Sequence, residues 1–341
     1  MREWRVILSV LLAATASAAA ALPIPVTDGL HRDYQPSVIR TTDNTLVVVF
    51  ERLDGALSGD LWVTRSIDEG ATWTPPAAII ASGANERHPA LLQLGPTSFV
   101  LFYLKGTGAT SSFRIWRATS SDGIAFTEQT ALDLGWATGG EINPHVIRHA
   151  NGTLTMSYQR LGSGSHVAQS ADGGVTWDTL RTSIAAGTQL PRIAFRESDG
   201  RYLASYQVGS SALQMRVKTT TDVYDWSAPA QDFAIDGNNH DSLPVVMPDD
   251  AFVLFWIVAG GGQFDIVSRR SLDGLDWQPR LWVGATPTDN DVQPHPLVGS
   301  ASTHVQLYWG RESPAGGGLY TIVRDPAVAV VDALFAHGFE D

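Results

Sequence analysis

The sequence contains no cysteine, which excludes disulfides and thiolate metal sites and leaves stability to the apolar core alone. Beyond the first residues no apolar run is long enough to span a bilayer, so no membrane-crossing helix is expected. There is no Pro/Ser-rich linker and no long helical pattern, so a second domain is not expected either. Positive charge is scarce: 23 Lys and Arg against 35 Asp and Glu leave a formal charge of −12. A balance of that sign disfavours nucleic acid and anionic membrane surfaces as partners. No local ligand motif of the His-Glu-x-x-His kind is found, so no metal is assigned from a motif.

What is there begins with Arg2 and Arg5, an apolar run from Val6 to Ala14, and the small residues Ala16 to Ala21. This is the pattern of a secretory signal, with cleavage expected between Ala18 and Leu22. Residues 1–21 are read as leader, and the remaining chain as an exported bacterial protein, periplasmic or secreted. Arg2, Glu3 and Arg5 together carry +1, so their loss leaves −13.

The rest of the chain is organised around a repeated turn. It reads Ser66-Ile67-Asp68-Glu69-Gly70-Ala71-Thr72-Trp73 and returns as Ser170-Ala171-Asp172-Gly173-Gly174-Val175-Thr176-Trp177. Three shorter copies keep the hydroxyl, the aspartate and a closing aromatic: Ser120-Asp122-Phe126, Thr220-Asp222-Trp226 and Ser271-Asp273-Trp277. Their aspartates lie 54, 50, 50 and 51 residues apart, a period that signals a repeat architecture. Each copy follows a β-rich run, so the turn joins two strands. Aspartate accepts from the turn's own amides and glycine permits a positive φ.

A second marker counts the units. An apolar strand opens near each of Pro36, Pro89, Pro144, Pro191, Pro244 and Pro294, and is followed by a β-branched and aromatic strand such as Leu46 to Phe50 or Phe252 to Trp256. Six units of four antiparallel strands predict an all-β fold, a six-bladed β-propeller over residues 22–331. The sixth unit takes its outer strand either from Leu22 to Thr27 or from Ala327 to Val331. Residues 332–341 belong to no blade and form a C-terminal tail.

In a propeller the inner strands line a central channel whose mouth is a funnel. Three places before the six prolines stand Asp33, Glu86, Glu141, Thr188, Asp241 and Asp291. Strand parity places them on the same side as Gln35, His88, Asn143, His145, Arg192, Gln293 and His295, a polar ring in an otherwise apolar chain. The competing reading is that each acid satisfies backbone of the neighbouring blade.

The repeated turn resembles the Asp-box, or bacterial neuraminidase repeat, of sialidases and related β-propellers. In that family the box lies away from the active site, which implies that Asp68, Asp122, Asp172, Asp222 and Asp273 form turns and do no chemistry. Phe50-Glu51-Arg52, Gly59-Asp60-Leu61 and Arg65-Ser66 resemble a sialidase first blade, and Arg52 matches one arginine of the family's carboxylate-binding triad. Tyr34 stands where a second would be, and Gln263-Phe264-Asp265 stands where the third is expected. Asn143-Pro144 best matches the family's Glu-Pro, with Glu141 two residues early. Tyr320 resembles the nucleophilic tyrosine, and Asp54 or Asp60 the acid/base aspartate.

These departures, with a funnel expected to be acidic, point to a glycan hydrolase whose substrate is not sialic acid. Neutral or cationic sugars need two acids, one protonated and one ionised. Glu141 and Asp241 are the expected pair, with Glu86 and Tyr320 as further catalytic candidates. Arg52, Arg192, His145, His295, Asp33, Asp291 and Trp136 are the expected substrate-binding groups. No cofactor is expected, although clustered oxygens suit calcium and His88, His145, His240 and His295 suit a transition metal. The alternatives are a non-catalytic propeller that binds glycan or protein, and a sialidase with a displaced arginine set drawn from Arg32, Arg87 or Arg192.

Overall fold

A computed structural model describes residues 23–54, 58–235, 237–260, 262–283 and 288–331, apart from the side chain of Thr110. The expected leader, residues 1–21, and the expected tail, residues 332–341, lie outside the described residues. Blade one contains Arg32–Arg40, Leu46–Leu53, Gly59–Ser66 and Ala77–Ile80, from the axis outwards. The inner strands of blades two to six are Asn85–Gly95, Glu141–Arg148, Gln189–Arg196, Asn238–Val246 and Asn290–Leu297. All six sheets have four antiparallel strands. The expected six-bladed propeller is therefore the fold.

The N-terminal segment closes the ring. Ile24 and Pro25 pair antiparallel with Arg324 and Val323 on the third strand of blade six, Thr321–Ala329. Ala327 belongs to that third strand and does not form a fourth.

The second strands are apolar on both faces because each blade is sandwiched between two others. Val48, Phe50, Phe102, Tyr158, Phe255 and Trp309 are fully buried. The buried side chains divide into six clusters, one at each junction between neighbouring blades. Phe102 and Ile115 of blade two meet Val146 and Met156 of blade three, and Val38 and Phe50 of blade one meet Tyr308 and Ile322 of blade six. Truncating one of these aromatics to alanine removes about 3–5 kcal/mol.

One irregularity recurs in every inner strand. Register slips by one residue between Tyr34 and Ser37, Arg87 and Ala90, Ile142 and His145, Gln189 and Arg192, His240 and Leu243, and Val292 and His295. At each slip one residue is left-handed: Gln35, His88, Asn143, Leu190, Asp241 and Gln293 have φ between 45° and 57°. These are β-bulges. Five are followed by proline; in blade five the next residue is Ser242, and Pro244 stands two positions further on.

The bulge reverses the parity assumed from the sequence. Asp33 pairs with Arg52 and Val38 with Val48, while Tyr34 pairs with Glu51 and Ser37 with Val49. Asp33 thus shares a face with Val38, and Glu141, by the same count, with Val146 rather than His145. The extra residue carries everything beyond it to the opposite side.

Candidate functional site

Counted from the bulges, the ring of residues three before the proline is Asp33, Glu86, Glu141, Thr188, Asn239 and Asp291. Blade five contributes Asn239, which accepts from Trp256 Nε1 at 2.9 Å. Asp241 is the bulge residue itself. All six ring residues are buried, so they do not make an acidic funnel wall. Asp33 receives Arg52 at 2.7 and 2.9 Å, and Asp291 receives Arg311 at 2.7 Å on each oxygen together with Trp309 Nε1 at 2.6 Å. Glu86 meets Lys105 at 3.3 Å. These acids are cross-strand ion pairs, each made with a base on the second strand. Arg52 is spent in the same contact, and its guanidinium also lies 4.4 Å from the Trp62 ring centroid.

Glu141 differs. Neither of its buried oxygens has a hydrogen-bond partner, and the nearest cations are Arg114 at 3.6 Å and Arg160 at 3.9 Å. Burial pushes its carboxyl up against the pull of those arginines. Trp136 belongs to the same corner of the molecule: Arg160 and Arg181 lie over its ring at 4.9 and 5.3 Å, and its Nε1 donates to the Tyr158 hydroxyl at 3.0 Å.

A second group forms on the front face, the face from which the inner strands start, where blade six meets blade one. Backbone bonds from Tyr320 N to His31 O (3.0 Å) and from Asp33 N to Tyr320 O (3.2 Å) fasten Tyr320 to the first inner strand. Its ring packs on Tyr34 with centroids 4.3 Å apart. Its hydroxyl donates to Glu312 Oε2 at 3.3 Å. Burial, then Tyr34 and Glu312, push the phenol well above the usual tyrosine range. Burial opposes ionisation of Glu312, but the amides of Gly316 and Gly318 and the Asn290 side chain outweigh it and hold the carboxyl low. Arg32 Nε is committed to the Gly318 carbonyl at 2.8 Å, and Arg87 to Glu51 at 2.8 and 3.2 Å. Glu312 escapes sequence reasoning because no repeat position marks it.

The third group surrounds the axis. A cavity of about 430 Å³ is lined by Gln35, His88, Arg192, Asp241, Gln293 and His295, among others. His145 lines it too. The structure therefore brings Asp241, Arg192, His145 and His295 together, while Glu141 is absent from that lining. Burial holds His88 and His295 down to about 4 and His145 well below its usual value, so all three are neutral at pH 7. Among the described residues no three His, Asp or Glu side chains are placed to share a metal ion.

No family model and no curated protein matches the sequence. Solved structures do. A protein of unknown function from Dyadobacter fermentans superposes with a TM-score of 0.72 at 15% identity, over 88% of this chain and 96% of its own. The Hadza microbial sialidase Hz136 gives 0.63 at 17%, over 90% and 68%. Trypanosoma rangeli sialidase bound to the inhibitor DANA gives 0.65 at 12%, over 89% and 57%, so this chain spans a little over half of that enzyme. The chain has the six-bladed propeller fold of these sialidases.

Proposed function

We propose that the chain is an exported glycan-processing hydrolase that takes its substrate on the front face, at the seam of blades six and one. The reading rests on one observation: the Tyr320 hydroxyl donates to Glu312 while its ring is packed on Tyr34. A tyrosine becomes a nucleophile when a neighbour accepts its proton, and Glu312, kept ionised, is that neighbour. Tyr320 Oη bonds to the anomeric carbon as the glycosidic C–O bond breaks, and the phenolic proton passes to Glu312. The departing oxygen takes a proton from Asp60, whose carboxyl is pushed up by burial and by Asp54. Water then displaces the tyrosine, returning a proton to Asp60 while Glu312 reprotonates the phenol. The Trypanosoma rangeli sialidase in complex with 2,3-difluorosialic acid is a covalent intermediate on this same fold. A neutral sugar is the expected substrate, because Arg32, Arg52 and Arg87 are already occupied and leave no free trio to grip a carboxylate.

Assay against chromogenic glycosides, a sialoside included, tests this. Turnover should fall at least about 100-fold in Tyr320→Phe and in Glu312→Gln. Turnover untouched by Tyr320→Phe sinks the mechanism. A second reading, a glycan-binding propeller, is favoured by the complete pairing of Asp33 and Asp291 and by the high phenol of Tyr320. It predicts silence in the assay and glycan binding lost in Tyr34→Ala.

A further inference from the structure

The axial cavity runs away from the proposed substrate face. None of its lining residues precedes the bulge on its strand: the wall begins at Gln35, His88, Asp241 and Gln293 and continues to Ile39, Leu92, Arg148, Glu197, Val246 and Val298. Arg148 and Glu197, at the far end, are exposed. The ring of bulges is therefore its floor, and its mouth lies on the rear face, where the serine–aspartate turns are. Toward the mouth the wall is mainly aliphatic, with Ile39, Leu92, Ile147, Val246 and Val298, and with Phe195.

One cation stands at the floor. Arg192 Nη1 donates to the neutral carbonyls of Asn143 (3.2 Å) and Pro191 (3.1 Å). The carboxylate that acts on it is Asp241, and no ion pair joins the two. A half-buried guanidinium with no ion-pair partner is incompletely satisfied. Burial lowers it to about 10, which still leaves it charged at pH 7. The surrounding histidines are neutral, so they neither repel an anion nor neutralise one. His145 Nδ1 accepts from Ile193 N at 3.2 Å, which places its proton on Nε2. Two buried polar atoms here have no partner, Gln35 Oε1 and His88 Nδ1. Arg52 and Arg311 end on carboxylates; Arg192 ends on two backbone carbonyls at the wall of a cavity.

We propose that the axial cavity is a binding site for a small organic carboxylate with a short apolar chain, which enters from the rear face and places its carboxylate on Arg192. The aliphatic wall takes the chain and the guanidinium takes the charge. Asp241 stands beside the cation and limits the site to one negative charge. His88, with its proton on Nδ1, donates the remaining polar contact to the head group.

Calorimetric titration of the chain with hexanoate and with its neutral isostere hexanamide, at pH 7, tests this. Hexanoate should bind at least about tenfold more tightly than hexanamide, and Arg192→Met should bring it down to the hexanamide level. Equal binding of the two probes, no heat with hexanoate at millimolar concentration, or undiminished hexanoate binding by Arg192→Met overturns the proposal. If Arg192→Met does not fold, the wild-type preference between the probes decides the matter by itself. The readout is binding on the rear face, so it stands or falls independently of glycoside turnover at Tyr320.

Discussion

Asp33 and Arg52 face each other across the first two strands of blade one, joined by two hydrogen bonds of 2.7 and 2.9 Å. Asp33 is wholly buried and Arg52 nearly so. Removing one partner of a buried pair strands the other, at a cost of about 3–5 kcal/mol. Asp33→Ala should lose that much in urea unfolding, and the double variant Asp33→Leu/Arg52→Met should recover most of it. A single variant as stable as wild type contradicts the structural role of the pair.

The bulge of blade five carries Ser242 where the other five blades carry proline. Since five strands make the bulge without an N–H at that position, the backbone of blade five can accept proline there. Ser242→Pro gives up the 2.8 Å contact between the Ser242 and Ser205 hydroxyls, worth about 1 kcal/mol. It also restricts the unfolded chain, which offsets part of that loss. The net change in unfolding free energy should lie within about 1 kcal/mol. A loss of several kcal/mol means that the six bulges are not equivalent.

The turn aspartates are not equally satisfied, and Asp172, with four donors, should matter more than Asp222, with one. Asp172 accepts from the Ser170 hydroxyl, the amides of Val175 and Thr176 and the Thr176 hydroxyl, at 2.6 to 3.0 Å. These donors, Thr176 first, hold it at about 2. Asp222 accepts only the amide of Tyr224, and its turn's hydroxyl bonds to backbone. Asp172→Ala should cost about 1–2 kcal/mol and Asp222→Ala less than half as much. Because the folded value is depressed, the Asp172 contribution is present above pH 3.8 and fades as pH falls toward 2. Equal losses in the two variants show that the number of bonds the aspartate accepts does not set its contribution.

Fold and site were not equally legible. The period of Asp68, Asp122, Asp172, Asp222 and Asp273 revealed the repeat and the six prolines counted the blades, because a unit that must recur in space recurs in sequence. Closure by Ile24 and Pro25 was not, since two short segments offered the same pattern and only backbone pairing separates them. The site was misread at one physical step. A left-handed residue before each proline adds a position that the alternation of a flat strand does not contain, so Glu141 was assigned to the side of His145. In blade five the proline lies three residues beyond the bulge residue, two later than in the other blades, and counting back from it selected Asp241 in place of Asn239. Tyr320 was visible as a resemblance, but its partner Glu312 lies outside any repeated position. Arg192 and His295 were placed at the channel because they follow the prolines that mark it, and they line the axial cavity.

The three channel histidines set the acid limit of the fold. His88 and His295 are kept neutral by burial, with folded values of about 4 against 6.5 when free, and His145 is lowered still more. Between those limits the unfolded chain binds protons that the native protein does not, so stability rises with pH across that window. It is fully present above about 6.5 and is lost progressively as pH falls toward 4, by up to about 3 kcal/mol for each of the two. The carboxylates of the turns release their contribution only below 3.8, so the histidine transition is resolved from theirs. Urea midpoints for the wild-type chain should fall steeply from pH 7 to 4.5, and His88→Gln should flatten part of that slope. A wild-type midpoint that stays constant over this range shows instead that the channel hydrates and protonates its histidines without unfolding.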